Sequence, residues 1–223
     1  MASWMVHLRV AERLLEHMED VAEKEFIMGN IAPDSGVPTA DWKAYVPSSR
    51  VSHFKTYSEN GTAEIDIGSY LRQYFPPEKR AGYSREQYAF YLGYLTHLLT
   101  DIEWIAHVYE PCIARYPEAY AEDSHKLLWT LKKDWYDLDF LYLKKHPDFR
   151  AFQIYESAEG FVNQYMEIFA EDAIENRREY ITGFYREGRE DVEREYVYLT
   201  EAQADRFVED CVETVLGKLE KIL

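Results

Sequence analysis

His97 and Asp101 stand four residues apart in a stretch, Tyr91 to His107, whose other members are mostly Leu, Tyr, Trp and Thr. Phe90, Gly93, Tyr94, His97, Asp101, Trp104 and Val108 recur there at helical spacing. On a helix, His97 and Asp101 share one face, one turn apart. A carboxylate in such surroundings must be paired or bound to a cation, because burying it alone is costly. One nitrogen and one oxygen donor, rigidly held, make half of a transition-metal site. The same pair suits an ordinary His–Asp contact in a helical core, and spacing alone leaves both readings open.

Several other residues could complete such a site. His7 falls on the stripe His7, Ala11, Leu14, Met18 of a first helix expected over Trp4 to Glu25, so it points toward the core. Asp34 follows Gly29-Asn30-Ile31-Ala32-Pro33, where Gly29-Asn30 is expected to cap that helix and Pro33 to force a turn. Asp34 is either turn chemistry or a loop carboxylate presented to a site. His53 lies in Ser52-His53-Phe54, within a loop-rich excursion over residues 35–83 punctuated by Pro38, Pro47, Gly68, Pro76, Pro77 and Gly82. His107 is six residues beyond Asp101, off its face on an ideal helix, although Pro111 can distort the run. Asp134 interrupts a stripe of Leu127, Leu131, Leu138 and Leu141, as a ligand or as half of a salt bridge. Asp137 and Asp139 sit nearer the stripe's edges, where solvation is easier.

Ser84 with Gln87 and Thr200 with Gln203 are capping boxes that start the His97 helix and a last helix carrying Phe207, Cys211, Val215 and Leu219. Helices are also expected over about 118–145 and 149–188, with Gly160 as a close helix contact, and the charge run 186–195 as a solvated end. No strand ladder is expected. The fold class is therefore all-α: a single-domain multi-helix bundle of 223 residues with one loop-rich excursion.

The net charge of −16 argues against nucleic acid as a partner, since no broad basic surface exists to neutralise phosphates. Two cysteines make no disulfide framework. The opening residues lack a basic segment followed by an apolar run, and no apolar stretch is long enough to span a bilayer. A soluble, cytoplasmic protein with no stable membrane insertion is expected.

The ordered set resembles the zinc-dependent phospholipase C family, which belongs with single-strand-specific nucleases of similar all-helical build. It comprises an early-helix His, an Ala-Pro-Asp turn after Gly-Asn, Ser-His-Phe in a loop, and Tyr-Leu-Gly-Tyr-Leu-Thr-His-Leu-Leu-Thr-Asp. The resemblance covers roughly residues 4–140. It implies that Asp34, His53, His97 and Asp101 gather one zinc, with Asp101 bridging to a neighbouring ion held by His7. It places His107 at the spacing of a third-ion ligand and makes Asp34 the candidate to orient or deprotonate the attacking water. One to three zinc ions, or other divalent transition metals, are implied. The substrate would be a small-molecule or lipid-headgroup phosphoester.

The chain departs from the family in two places. Trp4 is not at the position of the family's zinc-ligating amino-terminal Trp. No His is followed four residues later by Glu, and Asp134 is the candidate substitute. The rival readings are a non-catalytic helical protein that binds a partner through a degenerate metal site, and a zinc-dependent nuclease.

Overall fold

The computed structural model describes residues 2–41, 43–57 and 63–223. Helix α1 (Trp4–Leu15) is followed by α2 (Glu23–Ile31), which tightens into a 3-10 turn at Ala32–Asp34. Strands β1 (Val37–Pro38) and β2 (Tyr45–Val46) form a short antiparallel pair, as do β3 (Lys55–Tyr57) and β4 (Ala63–Ile65). The short α3 (Ser49–Ser52) lies between these pairs, and α4 (Ile67–Tyr74) and α5 (Pro77–Arg80) follow them. Helix α6 (Arg85–Trp104) widens into a π turn at Ile105–Tyr109 before α7 (Glu110–Ala114). The chain ends with α8 (Pro117–Lys145), α9 (Arg150–Ser157), α10 (Ala173–Arg186) and α11 (Glu201–Ile222). The fold is all-α.

Helix α6 is the core element, buried almost continuously from Ala89 to Trp104 and surrounded by α1, α2, α4 and α11. It starts where the sequence places it, with Ser84 Oγ accepting the Gln87 N–H. The Gln87 side chain does not close the capping box and reaches toward the Tyr91 hydroxyl instead. Helices α2 and α6 meet with their backbones nearly touching. A Cβ on Gly29 would lie 2.1 Å from the Phe90 carbonyl oxygen, and one on Gly93 would lie 2.0 Å from that of Phe26. Only glycine fits at either point.

Several expectations are corrected here. The first helix ends at Leu15, and the chain turns through Asp20, whose φ of 54° lies in the left-handed region, before α2 begins. Gly29 is therefore a packing residue inside α2, not a cap. Gly160 shows the reverse, with a φ of 73° and nothing within 4 Å of an added Cβ, so it serves a turn. The segment 149–188 divides into α9 and α10, joined by an irregular connection. The excursion over 35–83 holds two small hairpins, which no alternation in the sequence announced.

The acidic row on α8 is buried and paired. Asp137 is bound by Arg189 and Arg194, so two arginines of the 186–195 charge run dock on α8 while most of the run stands in solvent as expected. Asp139 is 3% exposed and accepts the Ser3 and Tyr185 hydroxyls at 2.7 Å each, tying α1, α8 and α10 together. Burial raises its carboxyl from 3.8 to about 7, although both hydroxyls favour the charged form. The folded state therefore keeps a proton that the unfolded chain has released between about pH 4 and pH 7. Stability should be lost as pH rises through that window, by on the order of 4 kcal/mol in all. Asp139→Asn removes the proton, so urea midpoints of variant and wild type should diverge across that window in the variant's favour. Parallel pH profiles would refute this account.

Candidate metal centre and cleft

Four elements converge on one buried point. Helix α1 brings His7, the 3-10 turn brings Asp34, the residue after α3 is His53, and α6 brings His97 and Asp101. His7, His53, His97 and Asp101 are essentially inaccessible, and the Asp34 side chain is 15% exposed. His97 Nδ1 lies 2.7 Å from the Asn30 carbonyl oxygen, which can only accept. The neutral ring therefore carries its proton on Nδ1 and turns an unprotonated Nε2 to the cluster. The Ser52 hydroxyl, 3.0 Å from His53 Nδ1, holds the second ring with its Nε2 toward the cluster.

The resulting donors are closely spaced. His53 Nε2 is 3.3 Å from His97 Nε2, 3.3 Å from Asp34 Oδ1 and 3.6 Å from Asp101 Oδ2. His97 Nε2 is also 3.6 Å from Asp101 Oδ2. A tetrahedron with zinc–nitrogen or zinc–oxygen bonds of about 2.0–2.1 Å has edges of about 3.3–3.4 Å. Two of the four separations, at 3.3 Å, match those edges, and the two to Asp101, at 3.6 Å, are slightly longer. His7 Nε2 sits 3.3 Å from the other carboxylate oxygen of Asp101, and its ring stacks on His97 at 3.7 Å between centroids. Among the described residues, two groups thus have metal-ligand spacing: His7, His97 and Asp101, and Asp34, His53 and His97.

Polar atoms of the cluster lack partners. Both ring nitrogens of His7 and Asp101 Oδ2 are buried without a hydrogen bond among the described residues. Orphaned polar atoms are costly in a core, and a cation would satisfy them. Protonation favours the same conclusion. Burial, reinforced by the His7 ring, lowers His97 from 6.5 to about 3, so it is neutral. Burial opposes charge on Asp34 and Asp101, yet the surrounding imidazoles and positive charge hold both carboxyls below their usual range. His97, Asp34 and Asp101 thus already have the protonation states that bind a cation. Their types, nitrogen and carboxylate oxygen, suit zinc.

The structure does not bring His107 and Asp134 into this cluster. Pro111 would clash with the His107 carbonyl in a regular helix, and the chain widens there into the π turn. His107 is 68% exposed and faces Glu103 at 3.3 Å, and Glu103 is also paired with Lys218. Asp134 is buried in a salt bridge to Arg194 at 2.7 Å and accepts the N–H groups of Val197 and Tyr198. Its lone pairs are taken by the connection before α11.

The cluster opens through Asp34 and His53 onto a cleft of about 570 Å³. Its lining includes Trp4, Tyr45, Lys132, Trp135, Tyr136 and Arg177. Trp4 Nε1–H donates to Asp34 Oδ2 at 2.9 Å, leaving Oδ1 toward His53. Tyr136, Tyr180, Phe184 and Tyr185 surround the Trp4 ring. Sequence reasoning set Trp4 aside and did not single out Asn30, Lys132 or Arg177. Trp4 carried one signal, lying three residues before His7 on the same helical face.

No curated protein and no solved structure matches this chain. The family model described as zinc dependent phospholipase C matches residues 6–181, a span that holds all five clustered residues. The chain therefore belongs to the zinc-dependent phospholipase C family.

Proposed function

We propose that the chain hydrolyses phosphoesters at the His7, Asp34, His53, His97 and Asp101 cluster. The observation that carries this reading is the placement of Asp34 and His53 between a buried donor set of zinc-like spacing and an open cleft. Bound zinc would supply an acidified water as nucleophile and charge stabilisation for the phosphoryl oxygens. Asp34 stays ionised at neutral pH, and Trp4 fixes its far oxygen. Its other oxygen, Oδ1, which faces His53 at the mouth of the cleft, can accept a hydrogen bond from the attacking water and aim it. With its carboxyl held so low, Asp34 orients that water rather than storing its proton. His53 and His97, each fixed through Nδ1, keep the polar floor rigid. Trp135 and Tyr136 exclude bulk water from one wall.

Protein purified without a metal-affinity tag should contain zinc, and it should hydrolyse bis(p-nitrophenyl) phosphate. Dialysis against chelator should abolish turnover, and added zinc should restore it. Turnover that survives complete removal of metal would overturn the proposal.

A further inference from the structure

Resting on that reading, we propose that the cleft selects phosphodiesters carrying a second anionic group, such as a further phosphate, held by Lys132 and Arg177. The sequence has 41 acidic and 25 basic residues, yet the described lining of this cleft reverses that balance. It carries Lys43, Lys132 and Arg177 against one carboxylate, Asp34, which already faces His53 and Trp4. A cleft that collects cations in so acidic a chain raises the local concentration of anions.

Lys132 is half-buried on α8, and no described carboxylate lies within ion-pair distance of its ammonium. Three other half-buried or buried cations have acidic partners: Arg9 with Asp205, Arg178 with Glu175, and Arg194 with Asp134 and Asp137. The next lysine, Lys133, pairs with Asp137 on the outer side of the helix. Lys132 lines the same cleft as Asp34 and His53, at the mouth of the cluster. An ammonium that rests 5.2 Å from the Trp129 ring centroid, with no described carboxylate at ion-pair distance, suits an anionic ligand.

Arg177 approaches from α10. Its Nη2 donates to the Gly36 carbonyl at 2.8 Å, and its guanidinium lies 6.0 Å from the Trp4 ring centroid and 5.4 Å from that of Tyr180. The group is thereby held in place with further N–H donors available, an arrangement suited to phosphate or carboxylate. A resident cation thus already attends the Trp4 ring, which leaves that face less open to a cationic headgroup.

The test uses zinc-loaded protein and three probes: glycerophosphocholine, glycerophosphoinositol 4-phosphate, and dihexanoyl phosphatidylinositol 4-phosphate below its micelle concentration. The expected kcat/KM is at least about tenfold higher for glycerophosphoinositol 4-phosphate than for glycerophosphocholine. Lys132→Gln and Arg177→Gln should each cut that ratio about tenfold, the worth of one charge-assisted hydrogen bond, with zinc content kept. Faster turnover of the dihexanoyl lipid would identify a lipid headgroup as the source of the anion, and faster turnover of the deacylated ester a soluble phosphodiester. Either supports the proposal. A ratio near one, or one that neither substitution changes, overturns it. If no ester is hydrolysed, the hydrolase reading fails, and calorimetric binding of glycerophosphoinositol 4-phosphate decides the anion site alone. Binding weakened about tenfold in both variants supports it, and binding equal in all three proteins overturns it.

Discussion

Zinc should be lost from His97→Ala altogether, and with it phosphoester hydrolysis, by a factor of at least about 10²–10³. The size of the effect follows from one shared residue. His97 is the member common to both donor groups, so its removal breaks each of them. No neighbouring nitrogen can replace it, because His53 Nε2 is already turned to Asp34 and the His7 ring is stacked flat against the lost imidazole. His107→Ala is the matched control. That ring is exposed and engaged with Glu103, and its loss should leave zinc content as in the wild type. Elemental analysis beside far-ultraviolet circular dichroism separates loss of metal from loss of fold. A His97→Ala protein that keeps its zinc would refute the assignment.

Gly93→Ala should be the most destabilising of single methyl additions. The new carbon would sit 2.0 Å from the Phe26 carbonyl oxygen and 2.9 Å from the Asn30 amide nitrogen. Both obstacles are backbone, so no side-chain rotation relieves them, and α2 must retreat from α6. A cost of about 3 kcal/mol or more is expected, a fall of roughly 6–12 °C in Tm for a chain of this size. The damage should reach the metal centre, because the Asn30 carbonyl that sets the His97 ring would move with α2. Gly183→Ala provides the contrast. It lies exposed in α10 with nothing within 4 Å, so alanine should stabilise by about 0.5–1 kcal/mol. Thermal melts of the two variants should therefore shift in opposite directions, and a similar small shift in both would show that the α2–α6 contact can relax.

The sequence spoke clearly where local chemistry repeats. Capping serines and apolar periodicity marked the start of α6 and the inward face of His7, and the four-residue step from His97 to Asp101 proved to lie in the core. Gly29 and Gly160 show the limit. Both are glycines near expected helix ends, and only the packing partner distinguishes a contact glycine from a turn glycine. Asp134 shows another. An acid in a leucine stripe announces that a partner exists, but its partner, Arg194, is 60 residues away. Trp4 and Lys132 were obscure for a related reason, since their meaning comes from the cleft that α1, α8 and α10 enclose together.

The long-range anchoring of α1 also has a consequence for synthesis. Its amino-terminal segment is made first, yet the bonds that secure it reach Asp101, Asp139 and Asp205, at separations of 99, 136 and 196 residues. Translation at about 5–20 residues per second puts roughly 7 to 27 seconds between Ser3 and its partner on α8. Through that interval α1 can pack on α2 and then α6, but its partners on α8, α9 and α11 are still missing. The group made of Asp34, His53 and His97 is complete once α6 has emerged, long before α11 exists. All five clustered residues have therefore been made when α6 emerges, whereas the anchors of α1 on α8 and α11 arrive only with the later helices.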